Sequence, residues 1–284
     1  GRIYIANEGI NAQLSVPSNK MIEFKNSIDN VTFLNGVRLN IAIEHDNEAF
    51  LKLKIKVRDK IVADGLNSNE YNLDKNGVHV NAEKFNELLD DNETITIDMR
   101  NHYESEIGHF KGAKLPDVDT FRESLPIINK KYDKHKKDKN ILMYCTGGIR
   151  CEKASAYLMN KGYKNVYQLD GGIIEYARQV KEKNIENKFI GKNFVFDNRR
   201  GERISGDIIS NCHQCGKKCD EHVNCNNEAC HLLSIQCDEC QKKYNGWSSD
   251  DCSNIYSLPY EKQKELRKGK ENSNTIFKKG RFDK

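Results

Sequence analysis

The chain contains no apolar run near the ~20 residues that a membrane-spanning helix requires. Its opening, GRIYIANEGI, shows no succession of charged, apolar and small residues of the kind that marks a secretory leader. Those absences argue against membrane insertion and export, and they place the expected location in the cytoplasm. There is no internal repeat and no flavin, nicotinamide or non-haem iron signature, so no organic redox cofactor is implied. The net charge of +4 is too small to demand a polyanionic partner by itself. An initiator methionine is missing too, and the first residues already read as a strand, so a strand and a helix are expected to precede Gly1. What is present is a polar, soluble composition, 37% hydrophobic and 31% charged, over 284 residues, enough for two or three domains.

Cysteine is plentiful: ten residues, two near the middle of the chain and eight between Cys212 and Cys252. With no export signal, such clustering favours metal binding over a disulfide framework.

Four regions follow from pattern. Residues 1–72 mix short strands (RIYIANEG, INAQLSV, LNIAIEH, FLKLKIKVRDKIV) with one helix, in which Met21, Phe24 and Ile28 fall at helical spacing. This reads as an incomplete α+β sandwich. Residues 73–185 alternate helix and strand: AEKFNELLDD, TITIDMR, a helix near 119–135 broken around Pro126, NILMYC, CEKASAYLMNKGY and VYQLDGG. The alternation predicts a parallel sheet flanked by helices, with ligands bound off the carboxyl ends of its strands. Residues 186–258 open with a bridge, where Phe194–Phe196 read as a short strand, and continue into the cysteine-rich lobe. Residues 259–284 form a charged tail expected to be poorly ordered.

Cys145 stands at the carboxyl end of NILMY, in the stretch CTGGIRC. A thiol reacts as its thiolate, and a helix N-terminus lowers its pKa. Gly147 and Gly148 let the backbone curl around the sulfur so that loop amides form an anion nest. Arg150 adds a cation at the start of the following helix. The alternative is a buried structural cysteine beside an ordinary turn. Cys151, six residues on, can resolve an oxidised Cys145 by forming a disulfide, share its sulfur chemistry, or simply pack in the helix. Asp98 and Arg100 either hold the loop or line the pocket, or they close a strand end as an ion pair.

The loop C-x-x-G-x-R, with four residues between Cys145 and Arg150, resembles the active loop of rhodaneses. GHFKGA and VYQLDGG resemble that family's turn and end signature. Taken with GRIYIANEGINAQLS and CHQCGKKCDEHVNCNNEACHLLSIQC, the order of motifs resembles the rhodanese-like tRNA uridine hydroxylases over residues 1–258. The resemblance implies an acylphosphatase-like (ferredoxin-like) first domain, a rhodanese domain and a cysteine-rich third. It also implies oxygen-dependent hydroxylation of the wobble uridine, with Cys145 as the active cysteine and the tRNA anticodon stem-loop as partner. The chain departs from the expected pattern at Ser248 and Ser249, where further cysteines would stand. Two rival functions remain open on sequence: sulfur transfer by a Cys145 persulfide, and a non-enzymatic zinc-bearing RNA-binding protein.

In the lobe, Cys212/Cys215 and Cys237/Cys240 form two C-x2-C pairs separated by 21 residues, the pattern of a structural four-thiolate zinc site. Cys219, Cys225, Cys230 and Cys252, with His222 and His231 near them, offer a second zinc with its ligand set open. A disulfide knot is the competing reading; an iron–sulfur cluster fits the spacing poorly. In the first region, Leu51, Leu53, Ile55 and Val57 alternate with Lys52, Lys54, Lys56 and Arg58. The cations fall on one face, suited either to tracking an RNA backbone or to guarding a sheet edge. Arg199, Arg200 and Arg203 are a second basic candidate.

Overall fold

The computed structural model describes residues 1–44, 49–228 and 230–268. In the first region β1 (Arg2–Ala6) and β2 (Gly9–Gln13) make an antiparallel pair, α1 (Met21–Asp29) follows, and β3 (Lys54–Val57) joins β1 in parallel. The sheet order β2-β1-β3 leaves β3 on an edge. Residues 39–44 of LNIAIEH form no strand, and the remainder of that stretch falls outside the described residues. The alternation in β3 sets its cations and its apolar residues on opposite faces, but both faces are exposed, Val57 to 82%.

The second region is β4 (Val78–Val80), α2 (Ala82–Asp90), β5 (Thr94–Asp98), α3 (His102–Ser105), β6 (Gly108–Phe110), α4 (Phe121–Tyr132), β7 (Asn140–Tyr144), α5 (Ile149–Asn160), β8 (Asn165–Leu169) and α6 (Gly172–Lys183). Strands β4, β8, β7 and β5 form one parallel sheet in that order. The period-2 alternation of β7 divides the core. Ile141, Met143 and then Cys145 face α4 and α5 among Ile97, Leu125 and Leu158. Leu142 and Tyr144 face α2 and α6 among Phe85, Phe110 and Tyr176. The strand is buried on both faces, as a central parallel strand should be. Helix α4 runs unbroken through Pro126, contrary to the expected break. The apolar face of Phe121, Leu125 and Ile128 holds it on the sheet despite the missing N–H.

The bridge forms its strand earlier than expected. β9 (Phe189–Asn193) pairs with β6 and with β10 (Glu202–Arg203), while Phe194–Phe196 lie outside any strand. Phe194 packs instead against Tyr103 and His222. The cysteine-rich lobe adds the hairpin β11 (His222–Asn224) and β12 (Leu233–Ile235), then α7 (Asp238–Tyr244) and α8 (Asp250–Tyr256). Part of the tail expected to be disordered is helical: α9 (Tyr260–Arg267) returns to the lobe through the ion pair Arg267–Glu228. Residues 269–284 fall outside the described residues.

Candidate active site and metal centres

Cys145 leaves the end of β7 fully buried, and the loop turns at Gly148, whose φ of 96° suits glycine. The Gly148 N–H donates to the Cys145 sulfur at 3.2 Å. Burial pushes the Cys145 thiol up. That effect is outweighed by the hydrogen bond from the Cys151 thiol, the charge of Arg150 and the amides of Cys151 and Arg150, which together bring it down to about 6. Cys151 moves the other way, well above the usual thiol range, because it is buried and faces the Cys145 sulfur. The two buried thiols thus shift each other in opposite directions, Cys145 down and Cys151 up.

A second glycine pair props the loop from below. The Ile173 and Ile174 amides at the start of α6 donate to the carbonyls of Cys145 and Thr146 at 3.0 and 3.2 Å. Gly172 has φ of 67°, and a Cβ there would lie 2.6 Å from both carbonyl oxygens. Gly172→Ala is expected to cost about 2 kcal/mol or more of stability, from backbone strain plus displacement of the loop. Gly206→Ala, with open space around it, is the control expected to stay within ~0.5 kcal/mol. Urea unfolding of the two variants checks the difference.

Arg150, the cation expected at the helix start, is held by a carboxylate. It forms a two-pronged ion pair with buried Glu104, Nη1 to Oε2 at 2.6 Å and Nη2 to Oε1 at 2.7 Å. Glu104 also accepts from the Asn101 amide in a capping box at the start of α3 and from the Thr146 hydroxyl. Its carboxylate thus ties the Cys145 loop to α3. Sequence reading missed it. The only signal was Asn101-x-x-Glu104, which reads as a helix cap and nothing more. Asp98 and Arg100 close a strand end: both are buried, paired at 2.7–3.2 Å, and Arg100 also donates to the Gly108 carbonyl at 2.6 Å. They brace β5 against β6 rather than line a pocket.

The first region reaches the same loop. Arg38 pairs with Asp170 at 2.5 and 2.6 Å, and Asn40 donates to the Gly147 carbonyl at 3.4 Å. On α5, buried Lys153 meets Glu8, Tyr71 and Asp64. None of these residues was singled out from the sequence, because each pairs with a partner far along the chain.

In the lobe, the sulfurs of Cys212, Cys215, Cys237 and Cys240 converge within 4.8 Å of one another. The first pair lies on a tight turn closed by Gly216 N–H to Cys212 C=O at 2.8 Å, and the second lies at the N-terminus of α7. Four soft thiolate donors at this spacing fit a tetrahedral metal ion with no open position. Cys225, Cys230 and Cys252 make a separate convergent group. Cys219 and His222 do not join it. The Cys219 sulfur accepts from the Glu221 amide at 3.4 Å, and buried His222 stacks edge-on against Phe194. His231 is exposed and joins neither group. The arginines of the bridge are also committed: Arg199 to Asp197 and Glu202, Arg203 to Asp220, and Arg200 to the His222 carbonyl.

Comparison with known proteins agrees with these three parts. Residues 1–61 match the UPF0176 acylphosphatase-like domain, residues 81–179 the rhodanese-like domain and residues 190–253 the rhodanese C-terminal domain. The tRNA uridine(34) hydroxylase of Leptospira interrogans is 54% identical over 282 residues, covering 99% of this chain and 77% of the relative. That of Pectobacterium atrosepticum is 54% identical, covering 99% of this chain and 79% of the relative. The solution structure of a rhodanese-like domain from Anabaena overlaps 40% of this chain and 78% of its own at 21% identity, with a TM-score of 0.32. With 54% identity over 282 residues, 99% of its length, the chain belongs to the tRNA uridine(34) hydroxylase family.

Proposed function

We propose that the protein hydroxylates the wobble uridine of tRNA at C5, yielding 5-hydroxyuridine, with dioxygen as co-substrate and Cys145 as the reacting residue. The observation that carries this reading is the buried, amide-supported Cys145 thiolate in a chain 54% identical along almost its whole length to named hydroxylases. Attack of the thiolate at C6 of uracil makes C5 nucleophilic toward dioxygen; one oxygen atom stays on C5, the other leaves as water with two electrons and two protons from an external reductant, and loss of the C5 proton expels the sulfur and restores the ring. Arg150 and Glu104 hold the loop, Gly147 and Gly148 shape it, and Cys151 sustains the thiolate by donating its proton in a hydrogen bond. The metal of the lobe is zinc held by Cys212, Cys215, Cys237 and Cys240; when bound it supplies structure rather than chemistry.

We divide the chain functionally at residues 1–72, 73–185 and 186–258, with 259–284 as a charged extension. The anticodon stem-loop is the partner, and the cytoplasm is the location that such a partner requires. Among the described residues no helix is long and apolar enough to cross a membrane.

Mass analysis of wobble nucleosides from cells with and without the gene tests the reading. Loss of 5-hydroxyuridine supports it, and unchanged levels sink it. A thiosulfate assay on the purified protein separates plain sulfur transfer.

The cationic face of β3 touches RNA in this reading. Register places Arg2 beside Lys54 and Tyr4 beside Lys56, and Arg58 lies over the Tyr4 ring at 5.8 Å, so cations and an aromatic share one exposed surface with Lys52 just outside the strand. The double change Lys54→Ala and Lys56→Ala is expected to weaken tRNA binding at low salt. The slope of log affinity against log salt should fall by roughly 0.7–0.9 for each phosphate that is no longer neutralised. Stability should hold within ~0.5 kcal/mol, since both side chains are exposed. Unchanged affinity with increased aggregation would make these residues guards of a sheet edge instead.

A further inference from the structure

The second sulfur group has a feature that its spacing does not show. Cys225, Cys230 and Cys252 bring three sulfurs within 4.8 Å of one another. The remaining corner is filled by Ser248. Its hydroxyl lies 3.5 Å from the Cys230 sulfur and 3.6 Å from the Cys252 sulfur, and its amide donates to the Cys225 sulfur at 3.4 Å. One serine thus touches all three thiols. Cys225 and Cys252 are buried, and the chain's single tryptophan, Trp247, packs on the group with its indole ring tilted against Tyr256.

Three thiols aimed at one point make a soft, concentrated donor set, and a divalent cation of the zinc class neutralises it best. The fourth donor differs in kind. A serine hydroxyl is a neutral, hard and weak ligand, and it does not lose its proton as a thiol does. A complex of three thiolates with such a corner is less stable than one of four, and the corner can be taken by a better donor from solution.

We propose that Cys225, Cys230 and Cys252 bind a second zinc-class ion through three thiolates, with the Ser248 hydroxyl as a displaceable fourth ligand. This ion is more weakly held than the one at Cys212, Cys215, Cys237 and Cys240. The inference rests on reading the lobe as metal-binding, and it adds that the two sites differ in affinity and in openness.

The full chain, reduced and stripped of metal, is titrated with Co(II) in a non-thiol reductant. Two equivalents are expected, both with sulfur-to-cobalt charge-transfer bands. The weaker equivalent should quench the fluorescence of Trp247, which packs on the second group, more strongly than the first. A competing chelator should remove this ion first, with recovery of the fluorescence. Added 2-mercaptoethanol should change the spectrum of this ion and leave the other unchanged. Cys230→Ser should abolish the strongly quenching equivalent and keep the first. Ser248→Cys should tighten the weaker ion by about tenfold or more and abolish its response to 2-mercaptoethanol. One equivalent in the wild-type chain, without strong tryptophan quenching, overturns the proposal and leaves the four-thiolate site standing. Two equivalents that Ser248→Cys leaves unaltered in affinity also overturn it. No equivalents in any variant would remove the metal reading of the whole lobe.

Discussion

Cys145→Ser is expected to abolish hydroxylation, lowering the rate by about three orders of magnitude or more, while the fold survives. Serine is close to cysteine in size, and its oxygen can accept the Gly148 N–H that the sulfur accepts at 3.2 Å. What it lacks is an accessible anion. The Cys145 thiol titrates at about 6, so the thiolate predominates at neutral pH, whereas an unassisted serine hydroxyl stays protonated there. The same geometry fixes the sign of the pH dependence. Lowering the pH through about 6 protonates the sulfur and should extinguish activity, with a plateau above about 7. Cys151→Ala removes the thiol that donates to Cys145, so the thiolate midpoint should rise and the active plateau should begin at higher pH. Its effect should be smaller than that of Cys145→Ser, because the Arg150 charge and the loop amides remain. Wobble 5-hydroxyuridine in a deletion strain carrying each variant provides the rate comparison, and ultraviolet absorbance of the thiolate gives the midpoint. Normal modification with Cys145→Ser would end the assignment of chemistry to this sulfur.

The two kinds of site were legible to different depths. The thiol loop is local: strand, cysteine, two glycines, arginine and helix follow one another closely along the chain, and the period-2 pattern of NILMY fixes which face Cys145 takes. The four-thiolate centre is nearly as local, because each C-x2-C pair is one turn of chain. Glu104 was not legible, since its partner lies 46 residues away and a carboxylate in a short polar helix carries no mark of burial. The cation of Arg150 was legible, but its carboxylate partner was not. The second sulfur group was legible in part: of its sequence candidates Cys225, Cys230 and Cys252 converge, while Cys219 and His222 do not join them and Ser248 comes in from beyond α7. In β3 the alternation was correct, but the inference usually drawn from it, that the apolar face is buried, does not hold here. Alternation reports which residues share a face and not what covers that face.

Glu104→Ala is expected to be among the most damaging changes outside the nucleophile. Arg150 would keep its charge in a buried setting without the carboxylate that holds both its prongs, and breaking one side of such a pair costs about 3–5 kcal/mol. The Asn101 amide and the Thr146 hydroxyl would lose their acceptor as well, loosening α3 and the Cys145 loop together. Loss of fold alone would not distinguish a positioning role from packing. Glu104→Gln does, because it preserves shape and one acceptor oxygen while removing the negative charge. With that charge gone, the positive field of Arg150 at the sulfur is no longer offset. The Cys145 thiolate midpoint should then fall below about 6, since loss of a nearby negative charge favours the ionised form of an acid. Activity should fall too, because Arg150 is no longer held by two opposed hydrogen bonds and the loop loses its fixed geometry. A lower thiolate midpoint together with slower hydroxylation, both measured on folded Glu104→Gln below its own unfolding transition, is the combination that marks Glu104 as the residue positioning Arg150. An unchanged midpoint would reduce Glu104 to a helix cap.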